Sequence, residues 1–173
     1  MMHILTVFLA DGLVFAVVIL GVWALIAKVP NNRKLEVYSR ILMAGLTSYL
    51  AAKLIASFYQ PETLRPFQEL GLKAGASYLQ NPGFPSDHVL FCTAITLAVY
   101  FETRLKKLGV VLGILTVLVG MGRVIALVHS PLDVIGGLAI GALGALWYFQ
   151  QPAQSAHGKH TVSSTGKYHK KRV

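Results

Sequence analysis

Charged side chains are scarce in this sequence. Only 13% of its 173 residues are charged, while 54% are hydrophobic. Cysteine is almost absent as well, and because Cys92 stands alone a disulfide within the chain is excluded. No Lys or Arg precedes the first apolar run, residues 4–27, so we expect a retained span rather than a cleaved signal peptide. This composition predicts one compact membrane domain.

Acidic residues are the scarcer charge, with seven Asp and Glu against 16 Lys and Arg and a net charge of +9. An excess of this kind often indicates a nucleic-acid partner. Here the basic residues lie in short clusters between apolar runs and in the polar C-terminal segment, which argues against nucleic acid. We therefore expect the bilayer to be the partner. The sequence predicts no oligomeric state.

Five apolar segments predict an all-α integral membrane bundle of about five transmembrane helices. They cover residues 4–27, 40–59, 86–103, 108–128 and 131–149. The outer loop, residues 60–85, is expected to be a partly helical segment lying on the membrane surface. We divide the chain into a membrane domain, residues 1–150, and a basic, disordered tail, residues 151–173.

The basic residues also predict the orientation. With five spans, 12 of the 16 Lys and Arg fall on one side, which the positive-inside tendency assigns to the cytoplasm. The N-terminus then lies outside a bacterial-type cytoplasmic membrane and the tail lies inside. The other four basic residues lie toward the outer face: Lys53, Arg65, Lys73 and Arg123.

One half of a candidate active site lies between the fourth and fifth spans. Arg123, His129 and Asp133 stand there at spacings of six and four in an apolar stretch. Ser130 and Pro131 predict that a helix begins at this point, with Ser130 as its N-cap. Ionisable residues are costly inside a membrane and tend to mark function.

The other half is expected at the start of the third span, where Ser86, Asp87 and His88 follow one another. A helix N-terminus offers free N–H groups and a partial positive charge to a phosphate. Arg65 and Lys53 approach the same face, and arginine can hold phosphate oxygens through two points. Two histidines suit phosphoryl transfer, since one can attack phosphorus while the other protonates the leaving oxygen.

These residues resemble two motifs of the type 2 phosphatidic acid phosphatase superfamily of membrane lipid phosphatases. That family's third motif is Ser-Arg, five residues, His, three residues, Asp. Gly122, Arg123, His129 and Asp133 match it, with glycine in place of serine. Residues 85–88, Pro-Ser-Asp-His, match the second motif in the form found in one bacterial branch.

The family's first motif, Lys, six residues, Arg-Pro, is only partly present. Arg65 and Pro66 match its end, but eleven residues separate Lys53 from Arg65. On a continuous helix the two would lie about 18 Å apart, although Pro61 is expected to break the helix. The resemblance covers roughly residues 53–137, half of the chain.

The resemblance implies a metal-independent lipid phosphatase without a cofactor, most similar to the branch that hydrolyses undecaprenyl pyrophosphate on the outer face. It implies that His129 is the nucleophile, Asp133 its orienting partner, and His88 the general acid that later activates water. It also implies phosphate binding by four residues: Arg65, Arg123, Ser86 and Lys53.

Other functions are compatible with the sequence. The substrate could be another lipid phosphate, such as phosphatidic acid, phosphatidylglycerol phosphate or a lipid A phosphate. A non-catalytic lipid-binding protein is a second alternative and a small anion channel a third. A zinc site built from His88, His129 and an aspartate is disfavoured by the nearby arginines.

Individual charged residues also have alternative roles. Arg123 could neutralise an inner acid such as Asp133. Arg65 and Lys53 could instead extend to the lipid headgroups. Asp11, the one charge in the first span, is expected to pair inside the bundle, with a role near the substrate headgroup as the alternative.

Overall fold

The computed structural model describes residues 2–61 and 64–149, which form helices and loops and contain no strand. The first helix comprises α1 (Met2–Val7), a π-helical turn (Phe8–Gly12) and α2 (Leu13–Lys28). It is followed by α3 (Lys34–Phe58), α4 (Pro66–Glu69), α5 (Asp87–Glu102), α6 (Lys106–Ile125) and α7 (Pro131–Leu143), and a 3-10 turn (Gly144–Tyr148) continues α7. The predicted tail, residues 151–173, lies outside the described residues.

Four helical segments within the described part are long and apolar enough to cross a membrane: His3–Lys28, Asn31–Phe58, Lys106–Ile125 and Pro131–Tyr148. The fifth predicted span is α5, whose 16 residues rise only about 24 Å. Large apolar side chains such as Phe15, Ile19 and Leu54 are exposed, as expected where lipid replaces water. The prediction of an all-α membrane bundle is confirmed.

The second helix begins earlier than predicted, at Lys34 instead of Arg40. Glu36 in its first turn pairs with Arg33 at 3.6 Å and with Arg40 at 3.0 Å. The i,i+4 contact stabilises the first turns of the helix. Residues 34–39, which the predicted span omits, therefore belong to α3.

The short helix α5 lies at the centre of the bundle, in contact with α2, α3, α6 and α7. Its Cys92 and Val99 form a buried cluster with Val17 of α2 and Leu112 of α6. Burial of such side chains stabilises the packing of helices through close van der Waals contact. The position of α5 fixes its N-terminus among the other helices.

Glycines bring α7 against α5. A Cβ added at Gly137 would lie 2.8 Å from the Ser86 carbonyl oxygen, and one at Gly141 would lie 2.9 Å from the Thr93 Cβ. Both approaches are too close for a side chain, so the four-residue spacing of these glycines serves helix packing. The N-termini of α5 and α7 consequently lie side by side.

The long loop, residues 59–61 and 64–86, connects α3 to α5 and contains only one short helix, α4. It is fastened to the connection between α6 and α7: the Phe67 N–H donates to the Leu127 carbonyl at 3.0 Å, and the Gly75 N–H donates to the Ala126 carbonyl at 2.9 Å. Phe67 is buried there. The loop is less helical than predicted and packs on the bundle, because its apolar residues bury against the α6–α7 connection.

Candidate active site

The first residues of α7 form a closed network around His129. Ser130 is the N-cap, as predicted; its hydroxyl accepts from the Asp133 N–H at 3.3 Å, and the Asp133 carboxylate accepts from the Ser130 N–H at 2.9 Å. The same carboxylate oxygen lies 3.2 Å from His129 Nδ1. An ionised carboxylate accepts a hydrogen bond, so Nδ1 carries the proton and Nε2 keeps a free lone pair.

The backbone before His129 is tightly turned. Leu127 has a φ of 58°, a left-handed conformation that a leucine rarely adopts. This turn lets the His129 N–H reach back to the Arg123 carbonyl at 3.3 Å. The strain is held by the packing of the long loop on Ala126 and Val128.

Burial lowers the pKa of His129 from its ordinary value of 6.5, and the hydrogen bond to Asp133 only partly opposes this effect. The positive charges of Arg123 and Arg65 lower the pKa further. His129 is therefore neutral at pH 7. A neutral imidazole with a free Nε2 can act as a nucleophile.

Arg123 is almost completely buried at the end of α6. Its Nη1 donates to Asp11 Oδ1 at 2.8 Å, so its partner is Asp11 and not Asp133. Its Nε is buried and has no hydrogen-bond partner within the described part of the chain. A buried guanidinium with an unused donor is suited to bind an anion that enters beside it.

Arg65 lies in the long loop and is also buried, so it does not extend to the lipid surface. Its Nη1 donates to the Val128 carbonyl, and its Nη2 donates to the Leu79 carbonyl at 3.0 Å and to the Asn81 side chain at 3.0 Å. Burial lowers its pKa from the ordinary value, and the nearby Asp133 opposes this. Arg65 thus joins the two ends of the loop to the α6–α7 connection.

Ser86 is the N-cap of α5 by position, as predicted, but its hydroxyl does not cap the helix. The Ser86 N–H donates to the Asp133 carbonyl at 3.0 Å, which links the starts of the two helices. The Ser86 hydroxyl is fully buried and finds no partner among residues 2–61 and 64–149. His88 follows within the first turn of α5.

These groups meet at one small cavity of about 10 Å³. Both histidines and both arginines line it, together with five further residues of the long loop and the start of α5: Leu79, Asn81, Pro82, Pro85 and Asp87. Four of the seven predicted site residues therefore line this cavity: Arg65, His88, Arg123 and His129. A fifth, Asp133, is hydrogen-bonded to His129. Ser86 lies next to it at the α5 N-terminus.

Lys53 neither lines the cavity nor bonds to a residue of the histidine network. Its Nζ lies 3.2 Å from Asp87 Oδ1, and both side chains are partly exposed. The other Asp87 oxygen accepts from the Asn81 amide at 3.4 Å. Lys53 thus reaches the edge of the site through Asp87, because α3 ends at Phe58 and the intervening loop turns Arg65 inward.

A larger apolar groove of about 760 Å³ runs between α3 and α5. Leu46, Leu90, Phe91 and Ile95 are among its apolar lining residues. It shares three residues with the cavity of the histidines: Leu79, Asn81 and Asp87. A hydrocarbon chain in this groove would therefore have its polar end at the cavity.

Two residues outside the predicted site, Asp11 and Asn81, also contact it. Asp11 was expected to pair inside the bundle, which it does, but its partner is the arginine assigned to phosphate. Its signal was its isolation as the one charge in an apolar span. Asn81 holds both Arg65 and Asp87, and nothing in its sequence context distinguished it from a turn residue.

Within the described ranges, no three His, Cys, Asp or Glu residues are grouped as metal ligands.

Comparisons with known proteins agree with the motifs. The sequence profile of the PAP2 superfamily matches residues 35–156. The chain is 28% identical over 137 residues to the protein named undecaprenyl-diphosphatase BcrC of Bacillus subtilis (strain 168), a match that covers 79% of this chain and 66% of that protein. It is 26% identical over 150 residues to the protein named bacitracin transport permease protein BcrC of Bacillus licheniformis, covering 86% and 71%.

A third relative is the protein named putative undecaprenyl-diphosphatase YbjG of Escherichia coli (strain K12). It is 32% identical over 152 residues, covering 82% of this chain and 69% of that protein. The chain thus spans about two thirds of the length of these relatives. No solved structure matches it. The profile match covers well over half of the sequence, and the chain belongs to the PAP2 superfamily, the membrane lipid phosphatase family that its motifs resemble.

Proposed function

We propose that this protein hydrolyses the terminal phosphate of undecaprenyl pyrophosphate, at the outer face of a bacterial-type cytoplasmic membrane, through a phosphohistidine intermediate. The observation that carries the proposal is the single cavity lined by His88, His129, Arg65 and Arg123 at the polar end of an apolar groove. Two of the three relatives are named as undecaprenyl-diphosphatases, one of them putatively.

In the first half of the reaction, His129 Nε2 attacks the terminal phosphorus and forms a P–N bond. The bond from phosphorus to the bridging oxygen breaks, and His88 donates a proton to that oxygen, which leaves as the lipid monophosphate. Asp133, already bonded to Nδ1, stabilises the positive charge that develops on the imidazole.

In the second half, His88 accepts a proton from a water molecule, whose oxygen attacks the phosphorus. The P–N bond breaks, inorganic phosphate is released, and His129 returns to its neutral form. His88 acts first as acid and then as base, so the two steps together return the protein to its starting state.

The unused donors would hold the phosphate. Arg123 Nε and the Ser86 hydroxyl are buried without partners in the described structure, and the α5 N-terminus supplies backbone N–H groups nearby. Arg65 adds positive charge from the loop side. Charge that spreads over phosphate oxygens in the transition state is stabilised by such fixed donors. Lys53, at the junction of groove and cavity, would meet the lipid-proximal phosphate as the headgroup enters.

The apolar groove supports a lipid substrate. Its lining is continuous with the cavity, so the hydrocarbon can stay beside α3 and α5 while the phosphates reach the histidines. The positive-inside distribution supports an extracytoplasmic site, since the cavity lies at the end of the bundle opposite most Lys and Arg of the predicted inner loops.

The test is phosphate release by the purified protein in detergent, with chelator present, from four substrates: undecaprenyl pyrophosphate, phosphatidic acid, phosphatidylglycerol phosphate and a lipid A phosphate. We expect the highest kcat/KM with undecaprenyl pyrophosphate. A higher kcat/KM with one of the others would reassign the substrate while keeping the chemistry. Absence of release from all four would reject the enzyme and favour a lipid-binding role.

The intermediate is tested separately. Substrate labelled with ³²P in the terminal phosphate is mixed with enzyme and quenched with alkali. We expect label on the protein that is stable in alkali and labile in acid, as a phosphoramidate is, and absent from His129→Ala. Label that persists in His129→Ala would show that another residue attacks phosphorus.

A further inference from the structure

Asp11 joins two parts of the site that are far apart in sequence. Its Oδ1 accepts from Arg123 Nη1 at 2.8 Å, and its Oδ2 accepts from the Ser77 backbone N–H in the long loop at 3.0 Å. The side chain of Arg123 is 1% exposed and that of Asp11 is 21% exposed. One carboxylate therefore orients a buried arginine and anchors the loop that covers it.

The local helix geometry brings Asp11 to this position. Residues Phe8–Gly12 form a π-helical turn, a widened turn that displaces side chains from the regular helical register and is frequent at functional sites. The turn packs directly on α6 at Gly122.

Gly122 is the position at which this chain departs from its family's Ser-Arg motif. A Cβ at this residue would lie 2.6 Å from the Ala10 backbone nitrogen and 2.7 Å from the Leu9 carbonyl carbon. These are backbone atoms of the first helix, so they cannot move aside as a flexible side chain would. The glycine lets the π-helical turn approach α6 closely enough for Asp11 to reach the neighbouring Arg123.

We propose that Asp11 is a positioning residue of this phosphatase: it fixes the Arg123 guanidinium through Nη1, so that the unused Nε points to the phosphate. This proposal rests on the proposed function. Asp11 does not touch the reacting atoms; it acts through Arg123, and Gly122 provides the space.

A positioning role differs from simple charge compensation in what it does to phosphate binding. Without Asp11, Arg123 keeps its charge but loses the bond that fixes its plane, and a displacement of about 1 Å in such a group costs about 100-fold in rate. If Asp11 instead competed with phosphate for Arg123, its removal would tighten anion binding.

The test compares the wild type with Asp11→Ala, Asp11→Asn, Arg123→Ala and the double variant Asp11→Ala/Arg123→Ala. The matched control is Glu69→Gln, which removes an exposed carboxylate of α4 in the same loop. Two quantities are measured on folded protein in detergent: kcat/KM for undecaprenyl pyrophosphate, and the inhibition constant of orthovanadate, which mimics the phosphoryl group in transit.

We expect Asp11→Ala to lower kcat/KM by about 100-fold and to weaken vanadate inhibition, while Glu69→Gln changes neither. The double variant should be no worse than Arg123→Ala, because Asp11 acts through that side chain. Asp11→Asn keeps the size of the side chain and can accept at only one of the two contacts, so it should fall between wild type and Asp11→Ala.

The proposal is overturned if folded Asp11→Ala retains wild-type vanadate inhibition, if vanadate binds it more tightly, or if the losses of Asp11→Ala and Arg123→Ala multiply in the double variant. Should Asp11→Ala not fold, Asp11→Asn with Arg123→Ala and their double variant give the same comparison. A wild type that releases no phosphate rejects the proposed function. An active wild type with an unaffected Asp11→Ala rejects only the positioning role.

Discussion

The two helices that meet at the site begin with similar residues and use them differently. Each has a serine at its N-cap and has a histidine and an aspartate within three positions of that serine: Ser86, Asp87 and His88 for α5, and His129, Ser130 and Asp133 for α7.

At α7 the serine, aspartate and histidine bond to one another, which leaves one imidazole nitrogen free. At α5 the serine hydroxyl has no partner in the described structure, and the aspartate turns away to Lys53.

The comparison distinguishes polar groups that orient a side chain from polar groups that are available to bind a ligand. A network that satisfies its own polar groups holds a side chain in one geometry, whereas buried donors without partners are costly until a ligand supplies the missing acceptor. Under the proposed function, the start of α7 orients His129 and the start of α5 receives a phosphate. The following predictions test this contrast, beginning with the largest expected effect.

Replacing His129 with alanine should lower kcat by at least about 10⁴-fold, because the nucleophile is lost and His88 is assigned to proton transfer. The loss should be the same for undecaprenyl pyrophosphate and for p-nitrophenyl phosphate, since the nucleophile is needed whatever the leaving group. Phosphate release from both substrates measures it. A loss confined to the lipid substrate would mean that His129 binds the lipid and does not attack.

Replacing His88 with alanine should lower kcat for the lipid by about 10²- to 10⁴-fold. For p-nitrophenyl phosphate the first step should be affected much less, because p-nitrophenolate leaves without a proton. Rapid-quench kinetics should then show a burst of p-nitrophenolate followed by slow turnover, as water attack still needs the base. The absence of any difference between the two substrates would remove His88 from proton transfer.

The two serines offer a matched pair. Ser86→Ala should lower kcat/KM by about 10-fold, through a lost hydrogen bond to a charged group, and leave the melting temperature unchanged. Ser130→Ala should lower the free energy of unfolding by about 1 kcal/mol, through the lost cap. Activity and thermal melting in detergent are measured on both. Equal effects on both quantities would contradict the division between binding and orientation.

Lys53→Ala should have a smaller effect. The Lys53–Asp87 pair is partly exposed, and such pairs contribute about 0–1 kcal/mol, so the melting temperature should hardly change. We expect kcat/KM for the diphosphate to fall several-fold, while kcat/KM for phosphatidic acid, which has a single phosphate, stays constant. An equal loss of kcat/KM with both lipids would show that Lys53 does not recognise the second phosphate.

The smallest effect concerns pH and stability. Burial lowers the pKa of His129, so the unfolded chain binds this proton more readily than the folded protein does. The stabilising contribution is present above pH 6.5 and is lost as the pH falls below that value toward the lowered pKa. As the pH falls from 8 to 5, the melting temperature should therefore decline less steeply in His129→Gln than in the wild type. An identical decline would show that other groups account for it.

Much of the fold followed from the sequence, because long apolar runs and helix-starting residues are local signals. The positions of α5 and α7 were predicted within a residue or two from Ser86 and from Ser130-Pro131. The motif spacing also indicated which histidines belong together. The start of α3 was missed because Lys34 and Glu36 lie outside the apolar run, whereas the pairing of Glu36 with Arg40 extends the helix to them.

The contacts across the bundle could not be predicted. Asp11 and Arg123 are separated by 112 positions, and their pairing depends on the π-helical turn and on the space at Gly122. The link from Lys53 to Asp87 depends on how the long loop folds inward at Arg65. Such contacts arise from three-dimensional packing, and the spacing of residues in a single sequence does not predict them.

The shortness of α5 has a consequence for how the lipid is handled. Its rise of about 24 Å is roughly 6 Å less than the hydrocarbon thickness of a bilayer. If its far end sits at the opposite interface, the reacting phosphorus is submerged below the level of the surrounding phosphates. The lipid headgroup then moves slightly deeper into the leaflet to reach the site, and the lipid does not have to leave the bilayer.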